Sequence, residues 1–332
     1  MMDHKHTSDT ILQTSHGFQA SRVLLCGAEL DLFTLLAEKP LSSAAVAAER
    51  NADPRGISIL LDVLSALGYL IKIDGQYQTE PSAVPFLSAD APESLLPVIL
   101  HQGRLWQSWS RITDIVLGKT TVSMNKTGAL AEGSVKSFIG AMHVIASKKA
   151  PEVVAAIKPG KARRLLDVGG GSGTYTLAFL AAVPEMRATL FDLPPVIEMA
   201  RDRVHAAGVE DRASLVPGDF YKDPLPPGHD LALLSAIIHQ NSQEENKALY
   251  QRIHDALEPG GRIVVRDYVM SPDRTAPVEG AMFAVNMLAQ TQGGSTYTYE
   301  EIADGLASAG FNRIRLIQTK GMFSLVEGFK KD

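Results

Sequence analysis

The sequence predicts an α/β protein: a mainly parallel, doubly wound sheet with an antiparallel last strand, preceded by a helical, winged-helix-like part. Three observations carry that expectation. From Arg163 onward, short β-like runs alternate with helical stretches, the pattern of a parallel sheet covered by helices on both faces. One of these runs leads directly into a glycine loop, Gly169-Gly170-Gly171-Ser172-Gly173. Before residue 100 the order is helix, helix, helix, hairpin, which is that of a winged helix.

The N-terminal elements follow from spacing and caps. Leu25, Ala28, Leu32, Leu35 and Leu36 fall on one helical stripe, closed by Lys39-Pro40. Ser43 to Arg50 is a short Ala-rich helix. Asp53 caps and Pro54 opens the next helix. Its apolar face is Ile57, Leu60, Leu61, Leu64 and Leu67, and Gly68 stops it. Tyr69–Ile73 and Gln76–Gln78 flank Asp74-Gly75, a hairpin turn. A DNA-reading helix should be rich in Lys and Arg; this one has Arg55 and little else basic. The winged-helix pattern therefore reads as a dimerisation or scaffold device. Residues 81–100 are a Pro-rich connection. The chain is then helical to about residue 157, with Trp106 and Trp109 in one helix. Gly118 to Gly133 is a Thr/Gly/Ser-rich loop, and Phe138, Met142 and Ile145 recur at helical spacing. The expected organisation is a winged-helix-like domain over residues 1–100, a helical linker contributing to a substrate pocket over 101–160, and the α/β domain over 161–332.

The totals exclude several classes. A chain of 332 residues, 45% hydrophobic and 21% charged, can bury a sizeable core and suggests two domains. Its formal net charge of -5 argues against nucleic acid as the main partner. Cys26 is the single cysteine, so no internal disulfide forms, and it reads as a small buried apolar residue. Met1 to Thr10 is polar, and no apolar run approaches the ~20 residues that span a bilayer. The expectation is a cytoplasmic protein with no membrane partner. His4 and His6 lie in a polar tail, no His/Asp/Glu cluster has ligand spacing, and no metal is expected.

The strands expected in the second half are Leu165–Val168, Ala188–Phe191, Ser214–Val216, Leu231–Leu234 and Arg262–Arg266, then Arg313–Thr319 and Phe323–Phe329. The link between the last two is too short for a parallel crossover, so that pair should be antiparallel. The glycine loop lets a ligand approach the backbone. A dinucleotide loop would place a small residue three after Gly171; here that residue is Thr174. Asp167, beside the loop, would repel a pyrophosphate but suits an ammonium and a sulfonium. Asp192 ends the second strand, where a carboxylate can accept both ribose hydroxyls; otherwise it is a cap or turn before Pro194. After the third strand comes Gly218-Asp219-Phe220. Asp219 could accept from an adenine amino group while Phe220 stacks on the ring, or Asp219 could be a turn carboxylate.

Together, Asp167–Gly173, Phe191-Asp192-Leu193-Pro194, Gly218-Asp219-Phe220, Ile238-His239, Leu257–Gly261 and Ala309-Gly310-Phe311 resemble the small-molecule O-methyltransferases of the caffeic acid and acetylserotonin (hydroxyindole) type. The resemblance covers about residues 160–332 by motif and the first third by organisation. It implies a Rossmann-like sheet, S-adenosylmethionine as methyl donor with S-adenosylhomocysteine as product, and a homodimer made through the N-terminal domain. Asp167, Gly169, Gly171, Asp192, Leu193, Gly218, Asp219, Phe220 and Ser235 match its cofactor-binding positions. Its catalytic histidine falls on His239, which would deprotonate an aromatic hydroxyl. The carboxylates that match the histidine's partners are Asp267 and Glu301, although Thr298 to Glu301 also spells a capping box. Met142, Asn286, Met287 and Thr291, with His239, match substrate-pocket positions, as do Met282 and Phe283. Trp106 either enters that pocket or only packs. The expected function is methyl transfer to a hydroxyl of a small aromatic or heteroaromatic molecule. Where the family has Asp-Trp after the histidine this chain has Gln240-Asn241. That departure leaves open N- or C-methylation, or a relative that catalyses another reaction.

Overall fold

The computed structural model describes residues 6–120, 139–140, 142–144, 146–318 and 323–332. The expected loop beyond Thr120, together with Phe138, Ile145 and Thr319, lies outside the described residues. The chain divides into two compact units, residues 1–107 and 108–332.

In the first unit the expected single helix is two. One runs Ser8–Glu29 and the next Leu32–Glu38, with Asp31 between them in the left-handed region at φ 48°. Of the apolar stripe, Leu25, Ala28, Leu32 and Leu36 enter the core, and Leu35 is half-buried against it. What breaks the helix is tertiary. Arg50 donates to the Asp31 carbonyl at 2.7 Å and to its carboxylate at 3.2 Å, satisfying a backbone group the turn exposes. Asp53 caps the helix Pro54–Ala66, its carboxylate accepting from the Gly56 amide at 2.6 Å. Leu70–Ile73 (β2) and Gln76–Thr79 (β3) form the hairpin, with Asp74 and Gly75 both at positive φ, as a two-residue turn requires. Leu41–Ser42 (β1) joins the hairpin edge through β3; two residues are too few to leave a periodic signal. Trp106, on the helix Leu96–Trp109, packs on Phe18 at 6.3 Å.

The second unit is built on a seven-stranded sheet of order β11-β12-β8-β7-β4-β5-β6. The strands are Arg164–Val168 (β4), Arg187–Asp192 (β5), Ala213–Pro217 (β6), His229–Ser235 (β7), Leu257–Asp267 (β8), Asn312–Gln318 (β11) and Ser324–Phe329 (β12). All pairings are parallel except those of β12, which runs antiparallel to both neighbours. Val269–Met270 (β9) and Tyr297–Thr298 (β10) add a two-stranded parallel ladder that the sequence did not announce.

Alternation divides the strand side chains between two helical layers. Leu166, Val168, Ala232, Leu234, Ile263 and Val265 pack against the helices Gln243–Ala256 and Tyr299–Ser308. Leu165, Leu231, Leu233 and Val264 face the opposite way, toward the helices Ala150–Ile157 and Thr174–Ala182. The chain goes from β4 outward to β5 and β6, then returns to start β7 on β4's other edge. The loops leaving β4 and β7 therefore diverge, and a crevice opens between them at the carboxyl edge, where ligands bind in sheets of this kind.

At β12, Glu327 is 1% exposed and holds two guanidinium groups, Arg262 at 2.5 Å and Arg315 at 2.6 Å. Arg262 is itself largely covered, so removing the carboxylate strands a buried cation. Glu327→Leu is expected to lower unfolding stability by about 3–5 kcal/mol, measured by chemical denaturation, with Arg315→Leu costing under about 1 kcal/mol because Arg315 is mostly exposed.

Candidate active site at the carboxyl edge of the sheet

Each sheet strand that faces the crevice ends in a polar group. β4 delivers Asp167 and the glycine loop. Gly169, Gly171 and Gly173 all have positive φ. A Cβ at Gly169 would lie 2.6 Å from Ile237, so this turn closes against the loop after β7, whereas a Cβ at Gly171 would meet nothing within 4 Å. The loop is thus tight against the protein at one glycine and open at the next.

Asp167 is 1% exposed and accepts from the Thr176 hydroxyl at 2.7 Å. Burial pushes its carboxyl up to about 6, with Asp192 adding repulsion. Asp192 is placed by the end of β5. Its two oxygens accept from the Gly171 amide at 2.8 Å and the Leu193 amide at 2.7 Å, and burial pushes it, too, up to about 6. Asp192 therefore ties the glycine loop to β5 and still has lone pairs for ribose hydroxyls. One buried and one half-buried carboxylate, with no cation in ion-pair range among the described residues, fit a cationic ligand. That is the chemistry of S-adenosylmethionine, whose ammonium and sulfonium would compensate them.

Gly218 packs on the Phe191 ring with no room for a Cβ. Asp219 follows in a turn, its carboxylate accepting from the Tyr221 amide at 2.9 Å and lying 3.0 Å from Lys222. The turn reading of Asp219 is therefore present in the structure. Phe220 stands beside Gly169 and packs on Tyr221 at 4.6 Å with the rings tilted by 51°, putting an aromatic ring next to the loop. Ser235, at the end of β7, accepts from Arg266 at 3.2 Å.

His239 sits in a short 3₁₀ turn, Ile238–Gln240, just past β7. Its Nδ1 is 2.9 Å from both carboxylate oxygens of Asp267. Asp267 is 1% exposed and also accepts from the Tyr268 amide at 2.8 Å. Because a carboxylate accepts, Nδ1 donates, and Nε2 is left as the acceptor nitrogen. Phe283 meets the imidazole edge-on at 4.8 Å, fixing the ring plane.

Glu301, the second carboxylate expected near His239, is not brought to it. One oxygen closes the capping box on the Thr298 amide at 2.8 Å, and the other takes Gln243 at 2.6 Å and pairs with Arg274. The local capping pattern won over the site position. Thr291 is likewise occupied: its hydroxyl donates to the Met287 carbonyl and accepts from the Gly294 amide, both at 2.8 Å. That turn backs the histidine loop, since a Cβ at Gly294 would collide with the His239 carbonyl. Among the other pocket positions, Asn286 accepts from the Trp109 indole at 2.9 Å, Met287 is buried, Met142 is half-buried and Met282 is exposed. Among the described residues no group of three His, Cys, Asp or Glu could hold a metal, and no helix is long and apolar enough to cross a membrane. Cys26 is half-buried rather than buried, and burial pushes its thiol up.

The sequence missed the part of Asn241. Its side chain is fully buried and accepts from the Tyr221 hydroxyl, while its amide donates to Asn246 at 3.0 Å. The Tyr297 hydroxyl donates to its backbone carbonyl, and Asn246 donates to the Ile238 carbonyl at 2.9 Å. Gln240 adds a bond to Tyr221 at 3.3 Å. The Gln240-Asn241 pair thus builds a polar network beneath the His239 loop. Asn241→Ala removes the bonds to two partners, the Tyr221 hydroxyl and the buried Asn246 side-chain oxygen, at ~1–3 kcal/mol for a buried group left unsatisfied. It is expected to lower thermal stability and to slow turnover more than it weakens cofactor binding, read from a melting curve and a cofactor titration.

Comparison with known proteins agrees with this geometry. The O-methyltransferase domain family matches residues 115–312, and the O-methyltransferase dimerisation domain matches residues 12–89. The chain is 31% identical to the tetracenomycin polyketide synthesis 8-O-methyl transferase TcmO of Streptomyces glaucescens, with 99% of each chain covered. It is 30% identical to the 3-hydroxy-5-methyl-1-naphthoate 3-O-methyltransferase of Streptomyces sahachiroi, over 95% of this chain and 93% of that one. The structure of human N-acetylserotonin methyltransferase in complex with S-adenosylmethionine superposes over 100% of both chains with a TM-score of 0.84 at 27% identity. The chain belongs to the S-adenosylmethionine-dependent O-methyltransferase family, with that family's N-terminal dimerisation domain ahead of the catalytic one.

Proposed function

We propose that the protein methylates a hydroxyl of a small aromatic molecule, with His239 as the general base. The observation that carries this reading is the His239–Asp267 pair. A phenol has a pKa of about 10 and is a poor nucleophile at neutral pH. Nε2 of His239 takes its proton as the oxygen attacks, and Asp267 holds the correct tautomer and stabilises the imidazolium that forms. S-adenosylmethionine, when bound, supplies an electrophilic methyl group on a sulfonium. Asp167 and Asp192 face its charged and ribose parts, the close turn at Gly169 sets the loop beneath it, Gly171 leaves open space for its approach, and Phe220 offers a stacking face. The aromatic class of the acceptor is supported by Phe283 and Met287, apolar surfaces near the base, and by the naphthoate and polyketide substrates in the names of the two Streptomyces relatives. The Trp109–Asn286 bond leaves the Asn286 amide nitrogen as a polar contact for the acceptor. Asp219 stays assigned to the adenine amino group through its remaining lone pairs. The protein works as a homodimer through residues 12–89. Ile11, Leu12 and Phe18 are each more than half exposed along the first helix and support an apolar interface there. The polar network under Gln240-Asn241 keeps the His239–Asp267 geometry intact, so that departure from Asp-Trp does not favour another reaction.

The test is methyl transfer from labelled S-adenosylmethionine to a panel of phenols, hydroxylated heteroaromatics and amines. His239→Ala is expected to lose ~10²–10⁴-fold in turnover with cofactor affinity unchanged. Unchanged turnover, or label found in amines alone, rejects the reading.

The raised carboxyls give a pH prediction with a definite sign. Asp167 and Asp192 titrate near 6 in the ligand-free fold, above the ordinary value for an aspartate of about 3.9. Each therefore costs stability as pH rises from about 4 to 6, and the cost persists above that window. A cationic ligand favours the ionised form, so affinity for S-adenosylmethionine should fall as pH drops below 6. Asp167→Asn should stabilise the ligand-free protein at pH 7.5 by roughly 1–3 kcal/mol while weakening cofactor binding. Melting curves with and without cofactor measure both.

A further inference from the structure

The strand that presents Asp267 to the base presents a second charged side chain on its other face. Alternation puts Arg266 on the side of Leu231, Leu233 and Val264, toward the helix that starts at the glycine loop. It lies opposite Ser235 in the register of β7 and β8. Arg266 is 7% exposed. Its guanidinium lies over the Tyr175 ring at 5.1 Å and the Phe323 ring at 4.3 Å. Its hydrogen bond is to the Ser235 hydroxyl at 3.2 Å. Four residues earlier on the same strand, Arg262 has the buried carboxylate of Glu327; Arg266 has no carboxylate within ion-pair distance among the described residues.

A guanidinium has five N–H donors and never loses its charge. Burying it with one hydroxyl acceptor and two aromatic faces is costly, and burial pushes this guanidinium below its ordinary value. The adjoining Tyr175 hydroxyl, turned toward Ser235, is buried without a well-formed hydrogen bond. Both groups can donate to an anion, and Tyr175 lies close enough to Asp167 to feel its charge. The ligand of this crevice is zwitterionic at its amino-acid end. Asp167 suits its ammonium, and the matching requirement is a cation for its carboxylate.

We infer that Arg266 binds the α-carboxylate of S-adenosylmethionine, with Ser235 and the two rings holding the guanidinium in place and the Tyr175 hydroxyl as a second donor. The inference rests on the cofactor lying over the glycine loop. An arginine fork matches a carboxylate with two parallel hydrogen bonds. Ser235, expected to touch the cofactor itself, then acts through Arg266.

Calorimetric titration of the wild-type protein, Arg266→Met and Arg266→Lys tests this with three ligands. S-adenosylhomocysteine carries the ammonium and the carboxylate. Its decarboxylated counterpart keeps the ammonium only, and methylthioadenosine has neither. Wild type is expected to bind S-adenosylhomocysteine about 10- to 100-fold more tightly than the decarboxylated compound, the range for charged hydrogen bonds. Arg266→Met should close that gap while leaving methylthioadenosine affinity unchanged, and Arg266→Lys should keep part of it. An equal loss for all three ligands, or a gap that survives in Arg266→Met, overturns the inference. Should Arg266→Met not fold, the wild-type comparison still decides, because the absence of a gap there overturns it too. Wild type that binds methylthioadenosine well but gains nothing from the carboxylate rejects Arg266 alone; wild type that binds none of the three rejects the cofactor placement beneath it.

Discussion

The site depends on the divergence of the chain at β4 and β7. Because β5 and β6 are laid down on one side and β7 and β8 on the other, no connection covers the carboxyl edge between them. The glycine loop forms one lip and the 3₁₀ turn with His239 the other. The close approach of Gly169 to Ile237 pins the two lips together at their base, so the donor side and the base side keep a fixed relation.

Charge is arranged at that edge against the interests of the fold. Among the described residues, buried Asp167 and half-buried Asp192 have no cation in ion-pair range, and buried Arg266 has no carboxylate. In a core built for stability these groups would be paired or replaced by apolar residues. Their unpaired state makes sense for a crevice whose ligand brings the complementary charges. The paired buried group of the same sheet, Glu327 between Arg262 and Arg315, sits opposite Val264 in the register of β8 and β12, back from the strand's carboxyl end.

The base side is stabilised differently. Among the described residues, the His239 ring has Asp267 as its hydrogen-bond partner and the edge-on Phe283 beside it. Its loop is held from below by Asn241, Asn246, Tyr221 and Tyr297, and from behind by the Thr291–Gly294 turn. Gln240 and Asn241 supply part of that support through their own hydrogen bonds. Rigidity of this kind matters because in-line transfer tolerates little misplacement of the attacking oxygen.

Local signals in the sequence settled the secondary elements and the loops they carry. The Asp53-Pro54 start, the Asp-Gly hairpin, the Thr298–Glu301 box and the glycine loop each involve residues within a few positions of one another, so their physics is complete in the sequence. The same locality explains Glu301, where a nearby cap outcompeted a distant role. Partnerships across long separations were decided by the tertiary structure. The break at Asp31 needs Arg50, the tautomer of His239 needs Asp267, the Asn241 network needs Tyr221 and Tyr297, and the exposure of Arg266 to the glycine-loop helix needs the pairing of β7 with β8. The sequence names the residue types at strand ends. Only the order and twist of the strands fix which of those ends meet, because hydrogen bonds and charges act over a few ångströms and not along the chain.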